Sequence, residues 1–140
     1  MTKHATQTLE ELAGSDIIDI RDVIARIEEL EDELDSTIVE DDEQAAVNAE
    51  IEKELATLNS FVAQAKGNSG DEQWRGDWYP IAFIRDSYFQ EYAEELADDI
   101  GATNKNARWP LNHIDWENAA EELKGDYVSY EFEGETYWAR

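Results

Sequence analysis

The sequence predicts an α+β protein: an N-terminal antiparallel, coiled-coil-like helical hairpin, then a small α/β domain with two helices and a C-terminal β-hairpin. Three observations carry this. Apolar residues recur at heptad spacing through residues 20–34 and again through 47–62. The composition changes near residue 70: Phe61 is the sole aromatic residue before it, and the other 14, including all five Trp, follow it. The last stretch places β-branched and aromatic residues on both sides of a Glu-Gly pair, which is a hairpin pattern.

Residues 1–14 read as a flexible N-terminus. Met1–Leu12 has a single Lys and no apolar h-region, so it does not resemble a signal peptide. The helical hairpin is assigned to residues 15–66. Ser15 or Asp16 can cap its start, with Asp19 and Asp22 in the early turns, where the helix dipole favours anions. Ile20, Val23, Ile27, Leu30 and Leu34 form an a/d seam, widened by Ile17 and Ile24. Val47, Ile51, Leu55, Leu58 and Val62 form a second seam. Between them, Thr37-Ile38-Val39 and the acidic run Glu40–Glu43 lower helix stability. A turn there gives the antiparallel hairpin; one long helix pairing with another chain is the alternative. Gly67-Asn68-Ser69-Gly70 has the makeup of a flexible linker, placed at residues 67–73.

The second domain is assigned to residues 74–140. Asp77–Ile84 is aromatic and β-branched and holds a short strand, with Pro80 marking an edge or a strand start. Asp86 or Ser87 opens a helix whose Phe89, Tyr92, Ala93, Leu96 and Ile100 make one buried stripe, and Gly101 sits at the C′ position. Residues 102–113 form a loop. Asp115 caps a second helix, Trp116–Lys124, with Asn118 at the third position and Gly125 at the end. Glu133-Gly134 as a two-residue turn pairs Tyr130 with Tyr137 and Ser129 with Trp138.

Charge dominates the composition. Asp and Glu total 35 against 11 Lys and Arg, so the formal net charge is −24 over 140 residues. Binding nucleic acid directly requires clustered cations to displace counterions, and an anionic membrane surface repels such a chain. No apolar run approaches the ~18 residues of a membrane span. The absence of Cys excludes disulfides and thiolate metal sites. These features point to a cytoplasmic protein. Proteins of salt-loving organisms share this kind of composition, and that reading stays open.

Chemistry-bearing motifs are scarce. His4 and His113 stand outside any metal-ligand spacing, and lone loop histidines usually satisfy local hydrogen bonds. There is no Gly-rich phosphate loop, and Asp41-Asp42-Glu43 lacks the Gly and spacing of a calcium loop. No catalytic residue, cofactor or metal is expected, and the chain does not read as an enzyme.

The informative pattern is acidic. Glu91, Glu94, Glu95 and Asp98 fall at i, i+3, i+4 and i+7, with Asp99 flanking, on the face opposite the apolar stripe. Neighbouring Cβ atoms in such a row lie about 5–6 Å apart, and DNA backbone phosphates also repeat every several ångströms. Glu117, Glu121 and Glu122 add acid on the next helix. Most charge runs are solvated faces; the sharper reading is a surface shaped to fill a DNA-binding groove.

The C-terminal part resembles the last domain of ArdA-type antirestriction proteins. The matching stretches are 86–89, 92–102, 110–117 and 119–123, followed by a terminal hairpin, so that the resemblance covers about 55 of the 140 residues. The Asn112–Trp116 segment between the helices is the least generic part. The resemblance implies an elongated acidic DNA mimic, carried by a phage or other mobile element in a bacterial host cell. Such mimics block type I restriction–modification enzymes by occupying their DNA site, and they form homodimers. The family's first two domains are absent, replaced by the heptad segment, so a type I enzyme is the first expected target and a different DNA-binding enzyme, including a CRISPR effector, is the alternative. The expected partner is a DNA-binding host defence protein, met through Glu91, Glu94, Glu95, Asp98, Asp99, Glu117, Glu121 and Glu122. The alternative is an interaction adaptor whose seam of Ile20, Val23, Ile27, Leu30 and Leu34 binds a partner helix, the acid conferring solubility only. The same apolar seams also predict a homodimer, because they exceed what a chain of this size readily hides.

Overall fold

The computed structural model describes residues 7–36, 38–68, 70–103 and 106–140. The expectations placed on residues 1–6, including His4, and on Thr37 and Ser69 lie outside these residues. The architecture is α+β, with a four-stranded antiparallel sheet covered by helices on both faces.

Helix α1 (Leu9–Ala13) begins at a capping box. The Thr8 hydroxyl accepts from the Glu11 N–H, and the Glu11 carboxylate accepts from the Thr8 N–H, each at 3.3 Å. Leu12 is buried in the core. Order thus extends into the segment read as a flexible terminus. Strand β1 (Ile17–Asp19) follows, where the sequence suggested the first turn of a helix. Two consecutive β-branched residues favour extended backbone, and a sheet edge is available to pair them.

Helices α2 (Ile20–Ser36) and α3 (Asp42–Ala65) pack together. Ile20, Val23, Ile27 and Leu30 are buried, and Leu34 is half-buried against the same core. On α3, Leu55, Leu58 and Val62 are buried, Ile51 is half-buried and Val47 is exposed. The acidic run between them has a structural use. Asp41 caps α3 by accepting from the Gln44 N–H at 2.8 Å, and Asp42 and Glu43 sit in the first turn, where the dipole stabilises anions. Arg26 crosses between the helices to the Glu54 carboxylate at 2.5 Å.

Strands β2 (Asp71–Trp74) and β3 (Asp77–Tyr79) form a separate hairpin around Arg75 and Gly76, with φ of 51° and 77°. Positive φ at both positions gives the turn whose twist suits a two-residue hairpin. Among the described residues of the expected linker, Gly67, Gly70 and Asp71–Gln73 lie against β3. The Gly67 N–H donates to the Trp78 carbonyl at 2.7 Å. Gly70, at φ +74°, lies so close to Tyr79 that an added Cβ would stand 1.9 Å from its carbonyl oxygen.

Strand β4 (Ala82–Arg85) leads through a single 3-10 turn, Asp86–Tyr88, into helix α4 (Phe89–Asp99). Pro80 separates β3 from β4; without an N–H it cannot continue a ladder. Helix α5 (Trp116–Lys124) and strands β5 (Val128–Phe132) and β6 (Glu135–Ala139) complete the chain. The sheet order is β1-β4-β6-β5. Tyr130 pairs with Tyr137 and Ser129 with Trp138, the register that the Glu133-Gly134 turn implies. At the β5 edge, the Gln64 side chain of α3 takes both outward backbone groups of Glu131, at 2.9 and 3.1 Å. This covers part of an edge that would otherwise template pairing with another chain.

One hydrophobic cluster contains Ile18, Val23, Leu30 and Phe61 from before residue 70, and Phe83, Tyr130, Phe132 and Tyr137 from after it. Phe61 is the joint: its ring lies 4.8 Å from that of Phe83 and 4.7 Å from that of Phe132. The compositional boundary is thus not a packing boundary. A second cluster lies on the other sheet face, with Ile84, Phe89, Ala93 and Ala120 at its centre. Arg85 ties the N-terminus to the sheet by donating to the Ala13 and Ser15 carbonyls and to the Tyr137 hydroxyl.

Two outcomes follow from this packing. Phe61→Ala should cost about 3–5 kcal/mol, and helix and aromatic circular-dichroism signals should melt together at a lower temperature. Two separated transitions would indicate that the helices and the sheet fold as independent parts. Gly70→Ala should destabilise by at least ~2 kcal/mol in urea titration, because positive φ and a backbone clash coincide.

Candidate functional site

The acidic row stands on α4, which the sheet holds from below. Phe89 and Ala93 are buried on Ile84, with Tyr92 and Tyr127 beside Phe89 at 5.5 and 5.2 Å between ring centroids. The Tyr92 and Tyr127 hydroxyls hydrogen-bond at 2.8 Å, and burial together with that bond pushes the Tyr127 phenol far above its ordinary range. The helix ends in a Schellman arrangement. Gly101, at φ +75°, donates to the Asp98 carbonyl, and Ala102 donates to the Ala97 carbonyl. Ile100, expected at the end of the buried stripe, is 69% exposed, because it is the cap residue and already off the helical track.

Glu91, Glu94, Glu95 and Asp98 line one side of a groove of about 430 Å³. Thr103, Leu111, Asn112, Ile114 and Trp116 line the rest, from the segment between α4 and α5 and the first turn of α5. No Lys or Arg lines it among the described residues. The Tyr88 hydroxyl donates to the Glu95 carboxylate at 2.9 Å, which fixes that side chain and holds the phenol above its usual range. Asp99 is exposed on α4 outside the groove.

The acids of α5 do not join this row. Glu117, Glu121 and Glu122 are exposed and none lines the groove. Glu121 instead accepts from Lys124 at 3.0 Å. Lys124 also donates to Asp86 at 2.8 Å, and the Trp138 indole N–H reaches the same Asp86 oxygen at 2.9 Å. The ammonium lies 5.5 Å from the Phe89 ring and 5.4 Å from the Trp138 ring. Burial pulls the Lys124 pKa down, but the Asp86 and Glu121 hydrogen bonds outweigh it and leave it raised. This network ties α5 to the start of α4 and so fixes the groove between them.

Other cations are also engaged away from the row. Arg21, Arg26, Lys66, Arg75 and Arg85 each lie against a carboxylate elsewhere in the chain. Asp115 caps α5, accepting from the Asn118 N–H at 3.1 Å and from its side chain at 2.7 Å, which anchors the apolar side of the groove. Among the described residues, no group of three His, Asp or Glu side chains could hold a metal ion, and His113 is exposed. The sequence reading singled out the four carboxylates but not Leu111 and Ile114. Their signal was visible: apolar residues in a loop of an otherwise acidic region.

The Asp86 contacts carry a pH dependence. The Lys124 and Trp138 hydrogen bonds hold the Asp86 carboxyl below its usual range. A depressed folded pKa means that the ionised form stabilises the fold, fully above the unfolded value and decreasingly as pH falls through the folded one. Wild type should therefore melt above Asp86→Asn at pH 7, and the gap should narrow as pH drops below about 4. Thermal melts of both proteins from pH 7 to pH 2 check this; a constant gap would show that the charge contributes nothing.

No protein-family model matches this sequence, and no curated protein or solved structure is significantly similar to it.

Proposed function

We propose that this chain is a nonenzymatic, acidic DNA mimic that occupies the DNA-binding site of a host defence enzyme, with type I restriction–modification enzymes as the leading target. The observation that carries the reading is the carboxylate row of α4, held on a rigid scaffold. At 1.5 Å rise per residue, Glu91 to Asp98 spans roughly 10 Å, the length of about three base-pair steps. The row alone is too short to imitate a binding site. The whole chain is not, since a net charge of −24 equals the phosphate charge of about 12 base pairs. Complementary charge speeds encounter with a cationic groove, and salt weakens that effect.

The remaining features of this proposal are a phage or mobile-element origin, action in the cytoplasm of a bacterial host, and a homodimer as the active unit. They rest on the resemblance to antirestriction proteins. No helix among the described residues is long and apolar enough to cross a membrane. The packing limits how a dimer forms. Ile20, Val23, Ile27 and Leu30 are already buried within the chain, so self-association would use other exposed apolar residues. The same burial disfavours the adaptor reading, which needs that seam free to meet a partner helix.

The test is competition. Purified protein should displace labelled duplex DNA from a type I restriction enzyme, and excess DNA should reverse the inhibition. Changing Glu91, Glu94 and Glu95 to Gln and Asp98 to Asn together should leave the fold intact, because no buried side chain is touched. The combined change should lower inhibition by an order of magnitude or more, about thirtyfold if each of the four groups contributes about 0.5 kcal/mol and the losses add. A protein that binds its target while leaving the DNA site free, with the quadruple variant inhibiting as well as wild type, rejects mimicry. Inhibition of a CRISPR effector but not of the restriction enzyme would keep the mechanism and change the target.

A further inference from the structure

We propose that the groove beside α4 receives a cationic amphipathic helix of a partner protein, with basic side chains against the carboxylate row and an apolar side chain against Leu111 and Ile114. This deepens the mimicry reading and rests on it only for the partner being a DNA-binding protein.

Two independent features of the groove point to this chemistry. One wall is anionic at helical spacing: Glu91, Glu94, Glu95 and Asp98 repeat at i, i+3, i+4 and i+7. Lys or Arg at the same spacing on a facing helix would meet them in register, since both helices share one rise and one turn. The rest of the lining carries three apolar side chains, Leu111, Ile114 and Trp116, beside the polar Thr103 and Asn112. Leu111 is 76% exposed and Ile114 36% exposed, and Trp116 lies half-buried beside them.

A bare phosphate mimic gains nothing from these apolar side chains. Two exposed aliphatic side chains next to four carboxylates lower solubility slightly and contribute no charge. They become favourable when an apolar side chain covers them, which is how amphipathic helices dock in grooves. The carboxylates then supply charge complementarity around that contact. This apolar part of the lining is also built rather than incidental. Trp116 opens α5, whose N-cap Asp115 holds Asn118 through two hydrogen bonds, and α5 is tied by Lys124 to Asp86 at the start of α4.

The test uses the full-length protein and two fluorescein-labelled peptides of equal composition and charge. One, of about 18 residues or five helical turns, carries Lys and Arg at i, i+3, i+4 and i+7 with Leu on the adjoining face. The other scrambles that order. Near-physiological salt, with a Debye length of about 8 Å, suppresses attraction that depends on net charge alone. By fluorescence anisotropy, the patterned peptide should bind at least about tenfold tighter than the scrambled one. Leu111→Ser with Ile114→Ser should reduce that preference to about twofold or less while leaving the melting temperature near wild type. Leu111→Glu alone, at the more exposed position, is the second variant should the pair perturb the fold, and it should likewise remove the preference. Equal binding of both peptides to wild type, or an undiminished preference in the folded variants, overturns the proposal. The outcome is separable from that of the mimicry reading. Equal peptide binding with intact competition against DNA removes the groove and keeps the mimic; a patterned preference without DNA competition does the reverse.

Discussion

Strand β4 carries two cores at once, and the rest of the fold depends on it. Phe83 points into the cluster under α2 and α3, while its neighbour Ile84 points into the cluster under α4 and α5. The strand is hydrogen-bonded on both sides, to β1 and to β6. Phe83 gives Phe61 of α3 a ring to pack on, and so recruits the long helices. Ile84 and Trp138, opposite each other in the ladder, give Phe89 its floor and so orient α4. Arg85 completes the strand by donating to the Ala13 carbonyl at the end of α1 and to the Ser15 carbonyl beyond it. Three consecutive residues, Phe83, Ile84 and Arg85, thereby fix the end of α1, both helical layers and the base of the acidic row.

The charge is accommodated rather than neutralised. No charged side chain is buried among the described residues, so the fold avoids the desolvation that an unpaired buried carboxylate would impose. The acids lie outside, where water and salt screen their repulsion. Several bases are drawn into contacts that join elements: Arg26 bridges α2 and α3, and Lys124 bridges α5 to the start of α4. The formal net charge of −24 is thus carried on the surface. It is compatible with solubility in salt, and equally with presenting charge to a cationic partner. Around α4 the carboxylates share a groove with exposed apolar side chains, and the proposed partner contact rests on that pairing.

The seam of α2 changes meaning between sequence and structure. Heptad spacing is ambiguous about what covers the apolar stripe: a second helix, another chain or a sheet all satisfy it. Here the cover is α3 together with the inner face of the sheet. The aromatic content of the second half and the aliphatic content of the first are two sides of one core, and neither half buries its surface alone. A composition shift is therefore a weak guide to a domain boundary when the two compositions are complementary in shape.

What the sequence determined by itself was local. The Glu133-Gly134 turn and its register, the Asp115 cap with Asn118, and the glycine after α4 each depend on residues within one turn of each other, and all three could be read directly. The same kind of local signal marks the Thr8–Glu11 capping box and the Arg75-Gly76 turn. The acidic row was also legible, since helical periodicity alone puts its members on one face. Tertiary structure decided the rest. Ile17–Asp19 became a strand because β4, some 65 residues later, offered an unpaired edge to it. Gly70 lies against the Tyr79 backbone, an approach that only a residue without a Cβ permits. Leu111 and Ile114 became the wall of a groove because α5 is tied against α4 through Lys124 and Asp86. Each of these depends on which distant surface arrives to pair or to bury a segment, and spacing along the chain carries no record of that partner.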